Sequence, residues 1–411
     1  MNILFVSMLP FAAQTSATIQ NKCIIKGLNQ LGHNVDALTL EPSEDALSFD
    51  PSMNDVGEWL GNCYFLKPSF IYSALRAKKH HVEESNLTYT DGSTKSAGKG
   101  FLSTIRTALK SVYDAVSIID PQQYNVRSVS KLDIEYERYG VVISSSDPKS
   151  SHLIAEFIFK YHEKSNTKWI QYWGDPMLID ITRKSDWRDP FVKNRERGLI
   201  SKADRIVYAS PLTLVAQKLL YPEYSDKMDY ANQACSVSLK SEGNRKHEAK
   251  EIVTVGYFGS YPSSIRNIQP LYNAACSGSF RLIIGGSSDL HLEEAKNITV
   301  LGPMPYSTTL EFERQVDILV CICNNKGTQI PAKIYYCAGY PKPIIVILDG
   351  EHKAELRSFL DTFGRFILCD NDEDSIIWAI QRASKEISTL RNYNIPEELT
   401  PRYMASKILG S

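Results

Sequence analysis

The chain opens with Met1-Asn-Ile-Leu-Phe-Val-Ser7, and the fold is decided by this stretch and the residues that follow it up to position 40. The centre of the stretch is wholly apolar, which predicts a short buried strand. Residues 19–31 then place apolar side chains on one helical stripe, and Gly32 stops the helix. Val35-Asp-Ala-Leu-Thr-Leu40 predicts a second strand. A strand–helix–strand unit of this kind begins a doubly wound sheet of buried parallel strands.

The same alternation of apolar strands and helices continues along the chain. Strands are predicted at residues 139–144, 168–172, 202–209, 253–258, 280–284, 298–301, 318–322, 344–348 and 366–369. Helices are predicted at residues 101–116, 151–161, 212–220 and 372–387. Residues 41–94 carry Pro, Asp, Asn and Ser throughout, which predicts irregular structure. The pattern as a whole predicts an α/β protein.

A polar stretch divides the chain into two series of strands and helices. Residues 236–250 lack apolar periodicity and predict a linker. We therefore expect one Rossmann-like lobe over residues 1–240 and another over residues 251–395. Because ligands bind at the carboxyl ends of strands in open α/β sheets, two facing lobes would enclose the substrate in a cleft.

Composition and charge exclude several classes of protein. The chain has 411 residues, enough for two large domains, and its 43% hydrophobic and 23% charged residues are ordinary for a soluble globular protein. The net charge of −1 provides no basic field that would attract nucleic acid. The eight cysteines form no Cys-x-x-Cys pair and mostly lie in apolar runs, which favours reduced, buried thiols.

The N-terminus and the hydropathy pattern predict a cytoplasmic protein. Residues 1–7 lack a basic segment, and their apolar run is too short for a signal peptide. No stretch approaches the roughly 18 apolar residues that a membrane span needs. A two-lobed periplasmic binding protein would require an export signal, so that class is not favoured.

Several motifs of the N-terminal half follow one another in a familiar order. The chain contains Ser144-Ser-Ser-Asp-Pro-Lys-Ser-Ser-His152, Trp169-Ile-Gln-Tyr-Trp-Gly-Asp175-Pro and Ser201-Lys-Ala-Asp-Arg-Ile-Val. Together with the opening unit, they resemble the GT-B glycosyltransferases, in particular the family-4-like group that builds bacterial polysaccharides. The resemblance implies an acceptor-side N-terminal lobe and a C-terminal lobe that binds a nucleotide sugar. It also implies that residues 396–411 return to the first lobe.

Two motifs of the C-terminal half resemble the donor site of that family. Gly256-Tyr-Phe-Gly259-Ser-Tyr-Pro-Ser-Ser-Ile-Arg266-Asn267 resembles its phosphate loop, where a glycine lets backbone approach a pyrophosphate and a cation lies across it. Gln329-Ile-Pro-Ala-Lys333-Ile-Tyr-Tyr336 begins a second match without a gap. It predicts a helix that starts near Pro331 and points its positive end toward a diphosphate. Leu301-Gly-Pro-Met-Pro305 resembles the loop that brackets the nucleobase.

The resemblance thus implies a set of donor-binding residues. They are Ser260, Arg266, Gly302, Met304, Thr328, Gln329, Ile330, Pro331, Lys333 and Tyr336. The residues alone leave plainer alternatives open. Arg266 can be a solvated arginine, Lys333 a surface lysine, and residues 301–305 a proline-rich turn.

The sequence departs from the family at positions that contact the donor. Relatives usually have a basic residue where this chain has Ser260, so Arg266 has to carry more of the positive charge. Thr328 and Tyr336 stand where the family has glutamates, and Pro341 stands where it has a glycine. In relatives the second glutamate grips the ribose hydroxyls, whereas a phenol offers one hydroxyl and no charged bidentate contact.

The N-terminal half offers fewer candidates for chemistry. Thr15 and Ser16, in the loop that replaces the family's glycine-rich one, have hydroxyls able to contact a sugar or phosphate. His152 is a candidate catalytic residue because it starts a predicted helix that would face the cleft, and the resemblance implies a functional histidine or polar group nearby. Asp175 is the second candidate because it follows a predicted strand. Asp175 is expected to orient an acceptor hydroxyl or to take its proton. The alternatives are a structural histidine and, for Asp175, a helix N-cap or an Asp-Pro turn.

The resemblance implies sugar transfer from a nucleoside-diphosphate sugar to a hydroxyl of a glycan or lipid-linked glycan, with retention at the anomeric carbon. Cations and helix-end amides would stabilise the departing diphosphate, so we expect no metal and no cofactor besides this co-substrate. Two alternatives remain open. One is a nucleotide-sugar hydrolase or epimerase on the same fold, and the other is a non-catalytic binding protein, which the departures at Ser260, Thr328 and Tyr336 favour.

A basic segment of the first lobe suggests peripheral contact with the inner face of a membrane. Residues 76–116 contain seven basic residues against four acidic ones. Residues 101–116 predict an amphipathic helix able to lie on an anionic surface. The alternative is that its apolar stripe packs on the sheet of the first lobe, as in ordinary surface helices.

Overall fold

The computed structural model describes residues 1–44, 48–73, 117–162, 166–236, 252–389 and 391–411, and two parallel sheets organise this part of the chain. The first sheet contains β1 (Asn2–Ser7), β2 (Asn34–Leu40), β3 (Cys63–Leu66), β4 (Val141–Ser145), β5 (Lys168–Trp173), β6 (Arg205–Tyr208) and β7 (Met228–Tyr230). The second contains β8 (Thr254–Phe258), β9 (Arg281–Gly285), β10 (Ile298–Leu301), β11 (Ile318–Ile322), β12 (Ile344–Leu348) and β13 (Ile367–Asp370). The prediction of two Rossmann-like doubly wound lobes is confirmed.

Helices connect the strands of each sheet. The first lobe has α1 (Ser16–Gln30), α2 (Ser150–Tyr161), α3 (Asp189–Ile200) and α4 (Pro211–Leu220). The second has α5 (Gln269–Cys276), α6 (Tyr306–Gln315), α7 (Ala332–Cys337), α8 (Lys353–Asp361) and α9 (Glu373–Ser388), and α10 (Pro401–Leu409) follows.

The central strands are buried on both faces, which explains their apolar sequences. In β1, Leu4 and Val6 belong to one core cluster, while Ile3 and Phe5 belong to the cluster on the opposite face. Because successive side chains of a strand point to opposite faces, a strand covered on both sides needs a continuous apolar run rather than alternation.

The C-terminal helix α10 packs on α1 of the first lobe. Gly27 of α1 permits the close approach, since a Cβ at this position would lie 1.9 Å from the carbonyl oxygen of Pro401. Leu409 packs against the same core cluster as Ile3. The last segment of the chain therefore lies on the first lobe, although it follows the second lobe in sequence.

Several elements have no specific prediction from the sequence, and β3, β7 and α3 are three of them. The strand β3 lies within residues 41–94, so the prediction of wholly irregular structure there is wrong. It is a four-residue edge strand with Phe65 half exposed, and its apolar signal is correspondingly short. The three-residue β7 forms the opposite edge, and α3 was also missed because only a narrow stripe of this polar helix is buried.

Two other predictions fall on residues outside the described ranges. These are the amphipathic helix at 101–116, with the basic segment around it, and the linker at 236–250 beyond its first residue. Among the described residues, no helix has the length and apolar character required to cross a membrane.

Candidate active site

Each sheet has a point where the strand order reverses, and these two switch points locate the site. The first sheet runs β3-β2-β1-β4-β5-β6-β7, so its switch point lies between β1 and β4. The second runs β10-β9-β8-β11-β12-β13, with its switch point between β8 and β11. Adjacent connections leave in opposite directions there and open a crevice at the carboxyl ends of the strands, where ligands of open α/β sheets bind.

The loops at these carboxyl ends meet across the space between the lobes. Gln14, in the loop after β1, donates from Nε2 to the carbonyl oxygen of Met304 at 2.9 Å. Gln329, in the loop after β11, donates from Nε2 to the carbonyl oxygen of Ile179 at 3.0 Å. The predicted donor residues Met304 and Gln329 thus lie at the junction of the two lobes, and both are held there by contacts with the first lobe.

Thr328 is engaged by the start of α4 in the opposite lobe. Its carbonyl oxygen accepts from Ser210 Oγ at 2.9 Å and from Thr213 Oγ1 at 3.2 Å. Its own hydroxyl lies 3.0 Å from Thr213 Oγ1. This pairing with α4 could not be foreseen from the loop sequence, because the partners are more than a hundred residues away.

Tyr336 also joins the two lobes. It is buried, and its hydroxyl donates to the carbonyl oxygen of Ser16 at 2.6 Å. Ser16 begins α1, whose N-cap Thr15 accepts from the backbone N–H of Thr18. The predicted ribose-side tyrosine and the predicted acceptor-side loop are therefore in direct contact, and the phenol fills space at the lobe junction.

Removal of the Tyr336 hydroxyl is expected to destabilise the junction of the lobes modestly. Tyr336→Phe leaves the Ser16 carbonyl without this donor, which should cost about 1 kcal/mol of unfolding free energy. The matched control is Tyr335→Phe, because the hydroxyl of Tyr335 is fully buried and has no hydrogen-bond partner among the described residues. In urea, the free energy of unfolding of Tyr336→Phe should be lower than that of Tyr335→Phe. The opposite order would contradict the role assigned to the hydrogen bond between Tyr336 and Ser16.

Arg266 closes the loop after β8, at the switch point of the second lobe. Its guanidinium donates to the carbonyl oxygen of Ser260 and, from Nε at 3.3 Å, to Oδ1 of Asn324. Asn324 in turn donates to the carbonyl oxygen of Gln329 at 2.9 Å. Arg266 therefore links the two predicted donor loops, and it remains half-buried rather than fully solvated.

Ser260 contributes to the same loop through its hydroxyl. It is exposed, donates to the carbonyl oxygen of Ser287 at 3.2 Å, and lies 3.0 Å from the Ser287 hydroxyl. Among the other predicted donor residues, Gly302 is exposed and the apolar Ile330 and Pro331 are buried. Pro331 is the residue directly before α7, as predicted, but α7 has only six residues and hence a small dipole.

Lys333 is held in an ion pair. Its ammonium contacts the carboxylate of Glu313 on α6, a buried side chain that also accepts from Tyr340 at 2.8 Å. The prediction of a free phosphate-binding lysine did not include this partner. A phosphate would have to share Lys333 with Glu313, so Arg266 is the stronger candidate for the donor phosphates.

Gly286 allows the loop after β9 to pack on the loop after β8. Its φ is +137°, and a Cβ there would lie 2.1 Å from the carbonyl oxygen of Gly259. Side chains are rarely tolerated at such a φ, and the clash is with backbone, which cannot rotate away. Gly286 therefore sets the shape of the predicted phosphate loop.

An alanine at position 286 is expected to destabilise the second lobe. The strained φ and the clash together should cost about 2–4 kcal/mol in Gly286→Ala. Gly302→Ala is the control, because a Cβ at 302 meets nothing within 4 Å. Urea denaturation should show the loss only for Gly286→Ala, and equal stability of the two variants would refute the packing argument.

His152 lies inside the first lobe. It is fully buried, its Nδ1 is 2.8 Å from Ser144 Oγ, and its ring packs on Trp173 with the centroids 4.1 Å apart. Burial, assisted by the charge of Lys149, lowers the pKa of His152 to about 3, so the ring is neutral at physiological pH. This placement argues against the predicted catalytic role and favours the structural alternative.

Asp175 belongs to a cluster of charges beside the switch point of the first lobe. Asp147 follows β4, while Asp175 and Asp180 follow β5, and the three offer carboxylate oxygens within 4.8 Å of one another. Lys149 lies among them, 2.7 Å from Asp147 and 2.5 Å from Asp180. The predicted catalytic aspartate is thus brought together with three charged residues to which the sequence analysis gave no role, although Asp147 and Lys149 stand inside one of its motifs.

Within the cluster, the pKa values of Asp175 and Asp180 are shifted in opposite directions. Burial, and then the neighbouring charge of Asp147, raise the pKa of Asp175 to about 8. Burial acts in the same direction on Asp180, but the contact with Lys149 outweighs it and lowers the pKa of Asp180 below its usual value. Asp175 is therefore mostly protonated at neutral pH, and it titrates in the range where an acid–base catalyst is most effective.

A buried glutamate positions the loop that carries Asp175. Glu196 of α3 is fully buried and accepts from the backbone N–H groups of Met177 and Leu178 at 3.0 and 3.1 Å. It also accepts from the hydroxyl of Tyr221 at 2.9 Å. Sequence reasoning missed Glu196, since a single acid on a polar helix carries no signal of burial.

A groove of about 630 Å³ opens next to this cluster. Its wall is formed mainly by the first lobe, from residues between 178 and 193, and is completed by Lys326 and Gly327 of the second lobe. A ligand in the groove would contact both lobes at the carboxyl ends of β5 and β11.

No protein-family profile matches the chain, and no curated protein matches it by sequence. Solved structures match it over its whole length. A UDP-N-acetylglucosamine 2-epimerase is 11% identical, with 96% of that chain covered and a TM-score of 0.50. The chain has the two-lobed GT-B fold. A glycosyltransferase from Rickettsia africae (11% identical, 93% covered) and AviGT4, involved in avilamycin A biosynthesis (10% identical, 96% covered), each give a TM-score of 0.48.

Proposed function

We propose that the protein is a glycosyltransferase that moves a sugar from a nucleoside-diphosphate sugar to an acceptor hydroxyl. The observation that carries the proposal is the pair of switch points that face each other. One presents Arg266 on a glycine-shaped loop, and the other presents Asp175 with its pKa near 8. A cation for a diphosphate and a titrating carboxyl for a hydroxyl are the two groups that such a transfer needs.

In the proposed reaction, the carboxylate of Asp175 accepts the proton of the acceptor hydroxyl. The acceptor oxygen forms a bond to the anomeric carbon on the face from which the diphosphate departs, and the bond from that carbon to the diphosphate oxygen breaks. The diphosphate leaves with the electron pair, and Arg266 stabilises the negative charge that develops on it. We propose retention at the anomeric carbon, which NMR of the product would establish.

The proposal assigns no metal to the acidic cluster. Lys149 already occupies the space between the carboxylates of Asp147 and Asp180, and its ammonium compensates part of their charge. These carboxylates raise the pKa of Lys149 above its usual value, even though burial acts in the other direction. The lysine is therefore charged at physiological pH, and it supplies a positive charge where three carboxyl groups meet.

Nucleotide binding provides the direct test. Uridine and guanosine diphosphates should each be titrated, followed by a thermal-shift screen of the corresponding nucleotide sugars. A ligand at a hundred times its Kd should stabilise the protein by about 2.7 kcal/mol. Absence of binding by both nucleotides would favour a non-catalytic binding protein, a role consistent with the contacts that occupy Thr328 and Tyr336.

A nucleotide-sugar epimerase is the second candidate. The protonated carboxyl of Asp175 also suits acid catalysis on a nucleotide sugar, and one structure with this fold is that of an epimerase. The two activities separate when a nucleotide sugar is incubated in deuterium oxide without an acceptor. An epimerase that exchanges a carbon-bound proton would incorporate deuterium, whereas a glycosyltransferase would return the sugar unlabelled.

We further propose a glycan or lipid-linked acceptor and peripheral contact with a membrane through residues 76–116. The basic composition of that segment is the support for the second statement. Co-sedimentation with anionic liposomes at low salt tests it. Failure to co-sediment would remove the membrane contact and leave the proposed transfer unaffected.

A further inference from the structure

The groove beside Asp175 contains charges that are mostly paired. Asp180 contacts Lys149 at 2.5 Å, and Arg183 contacts Asp189 at 2.5 Å. These pairs cancel the negative charge that the groove would otherwise present. They also hold the wall in place, since Arg183 reaches from the loop after β5 to the start of α3.

Two lysines of the groove lack an acidic partner within the described part of the chain. Lys193 extends from α3 of the first lobe, and Lys326 extends from the loop after β11 of the second. Both are exposed, and no carboxylate of the described residues forms a salt bridge with either. The groove therefore carries an uncompensated positive charge from each lobe.

We infer that this groove binds a phosphate group of the acceptor, held between Lys193 and Lys326. The inference rests on the proposed transfer, because it assigns the groove to the second substrate. Two ammonium groups bind a phosphate as point charges, without the fixed geometry that an arginine fork imposes. The open groove of about 630 Å³ has room for a phosphorylated sugar, and Asp180 in its wall belongs to the same cluster of carboxyl groups as Asp175.

The donor phosphates are assigned to a different loop. Arg266 and Ser260 follow β8, whereas the groove is lined by the loop after β5, the start of α3 and residues 326–327. Neither Arg266 nor Ser260 lines it. Filling the donor site with a nucleoside diphosphate should consequently leave the groove free for a second anion.

Calorimetry of inorganic pyrophosphate, with the donor site saturated by uridine or guanosine diphosphate, tests the groove. We expect one site in the natural protein and at least tenfold weaker binding in Lys193→Ala/Lys326→Ala. The control is Lys168→Ala/Lys296→Ala, which removes one exposed lysine from each lobe. Lys168 is the first residue of β5 and Lys296 lies two residues before β10, so both are at the amino ends of their strands, away from the groove. The control variant changes the net charge equally and should bind pyrophosphate normally.

The source of the phosphate is distinguished by further titrations. Glucose 1-phosphate represents a phosphorylated sugar, geranyl diphosphate a lipid-linked phosphate, and methyl glucoside a neutral sugar. Lack of pyrophosphate binding, equal binding by the two double variants, or equally tight binding of methyl glucoside would overturn the inference. Failure of both nucleotides to bind would instead refute the transfer reaction, and pyrophosphate titrated alone would still report on the two lysines.

Discussion

Arg266→Ala is expected to weaken the binding of the donor nucleoside diphosphate by roughly 10- to 100-fold. A charge-assisted hydrogen bond contributes about 1.5–3 kcal/mol, and ~1.4 kcal/mol corresponds to a factor of ten in the Kd. The effect should be large because Ser260 provides no second cation in this loop, and because Lys333 is paired with Glu313. Isothermal titration calorimetry measures it directly.

Arg266 also stabilises the loop after β8 through its hydrogen bonds to Ser260 and Asn324, so the experiment needs two controls. Arg281→Ala removes an exposed arginine at the opposite end of a strand in the same lobe and should leave the Kd unchanged. Arg266→Lys keeps the charge but loses the fork that joins Ser260 to Asn324, and it should recover only part of the affinity. An unchanged Kd in Arg266→Ala, with the unfolding midpoint intact, would refute the phosphate assignment.

The order of elements was predictable wherever burial on both faces forced a long apolar run. Residues 318–322 and 344–348 were predicted as strands with the bounds observed, because each lies inside a sheet with helices on both sides. The edge strands β3 and β7 have three or four residues and partly exposed side chains, so they carry little signal. The fold class therefore followed from the interior strands alone.

The loops of the candidate site were predictable, but their partners were not. A glycine after β8 and a proline before α7 mark the loops at the switch point through local backbone requirements. The contact of Tyr336 with Ser16 joins residues 320 positions apart and depends on how the lobes meet. No local pattern specifies such a pair, and the same holds for Glu196 and Lys149, whose burial arises only when α3 and the loops after β4 and β5 pack together.

These contacts between the lobes have a consequence for substrate entry. Thr328, Gln329 and Tyr336 are all bonded to the first lobe, so a nucleotide that used their positions would have to replace those bonds. Each net hydrogen bond contributes about 1 kcal/mol, and a ligand offering comparable partners recovers that energy. We therefore expect nucleotide binding to be accompanied by separation of the lobes, which small-angle X-ray scattering with and without nucleotide would detect as a change in the radius of gyration.

Asp175→Asn is expected to lower kcat by about 100- to 10,000-fold, the range of a lost general base. An amide has the shape of the carboxyl but cannot take a proton from the acceptor hydroxyl. In the natural protein, the pKa of Asp175 near 8 means that only a minority of molecules carry the base form at pH 7. The kcat should consequently rise with pH through about 8 and then level off, and this dependence should be absent in Asp175→Asn.

A neighbouring substitution tests whether the pH dependence belongs to Asp175. The charge of Asp180 helps to raise the pKa of Asp175, while Lys149 lowers it. Asp180→Asn removes the negative neighbour and releases Lys149 from its closest carboxylate, so the midpoint of the pH profile should move to lower pH. A midpoint that stays at the same pH, or moves upward, would show that another group is titrating.

Stability provides a readout of Asp175 that needs no substrate. The pKa of this carboxyl is raised from 3.8 to about 8 by folding, so the folded state holds a proton that the unfolded state releases. The stabilisation associated with that proton is fully present below about pH 4 and is lost as the pH rises toward 8. Asp175→Asn removes the dependence, and its Tm should exceed that of the natural protein at pH 7.5, with the difference shrinking toward pH 4. A variant that is both inactive and more stable at pH 7.5 would mark Asp175 as a residue kept for chemistry at a cost in stability, whereas a lower Tm across the whole pH range would mark it as structural.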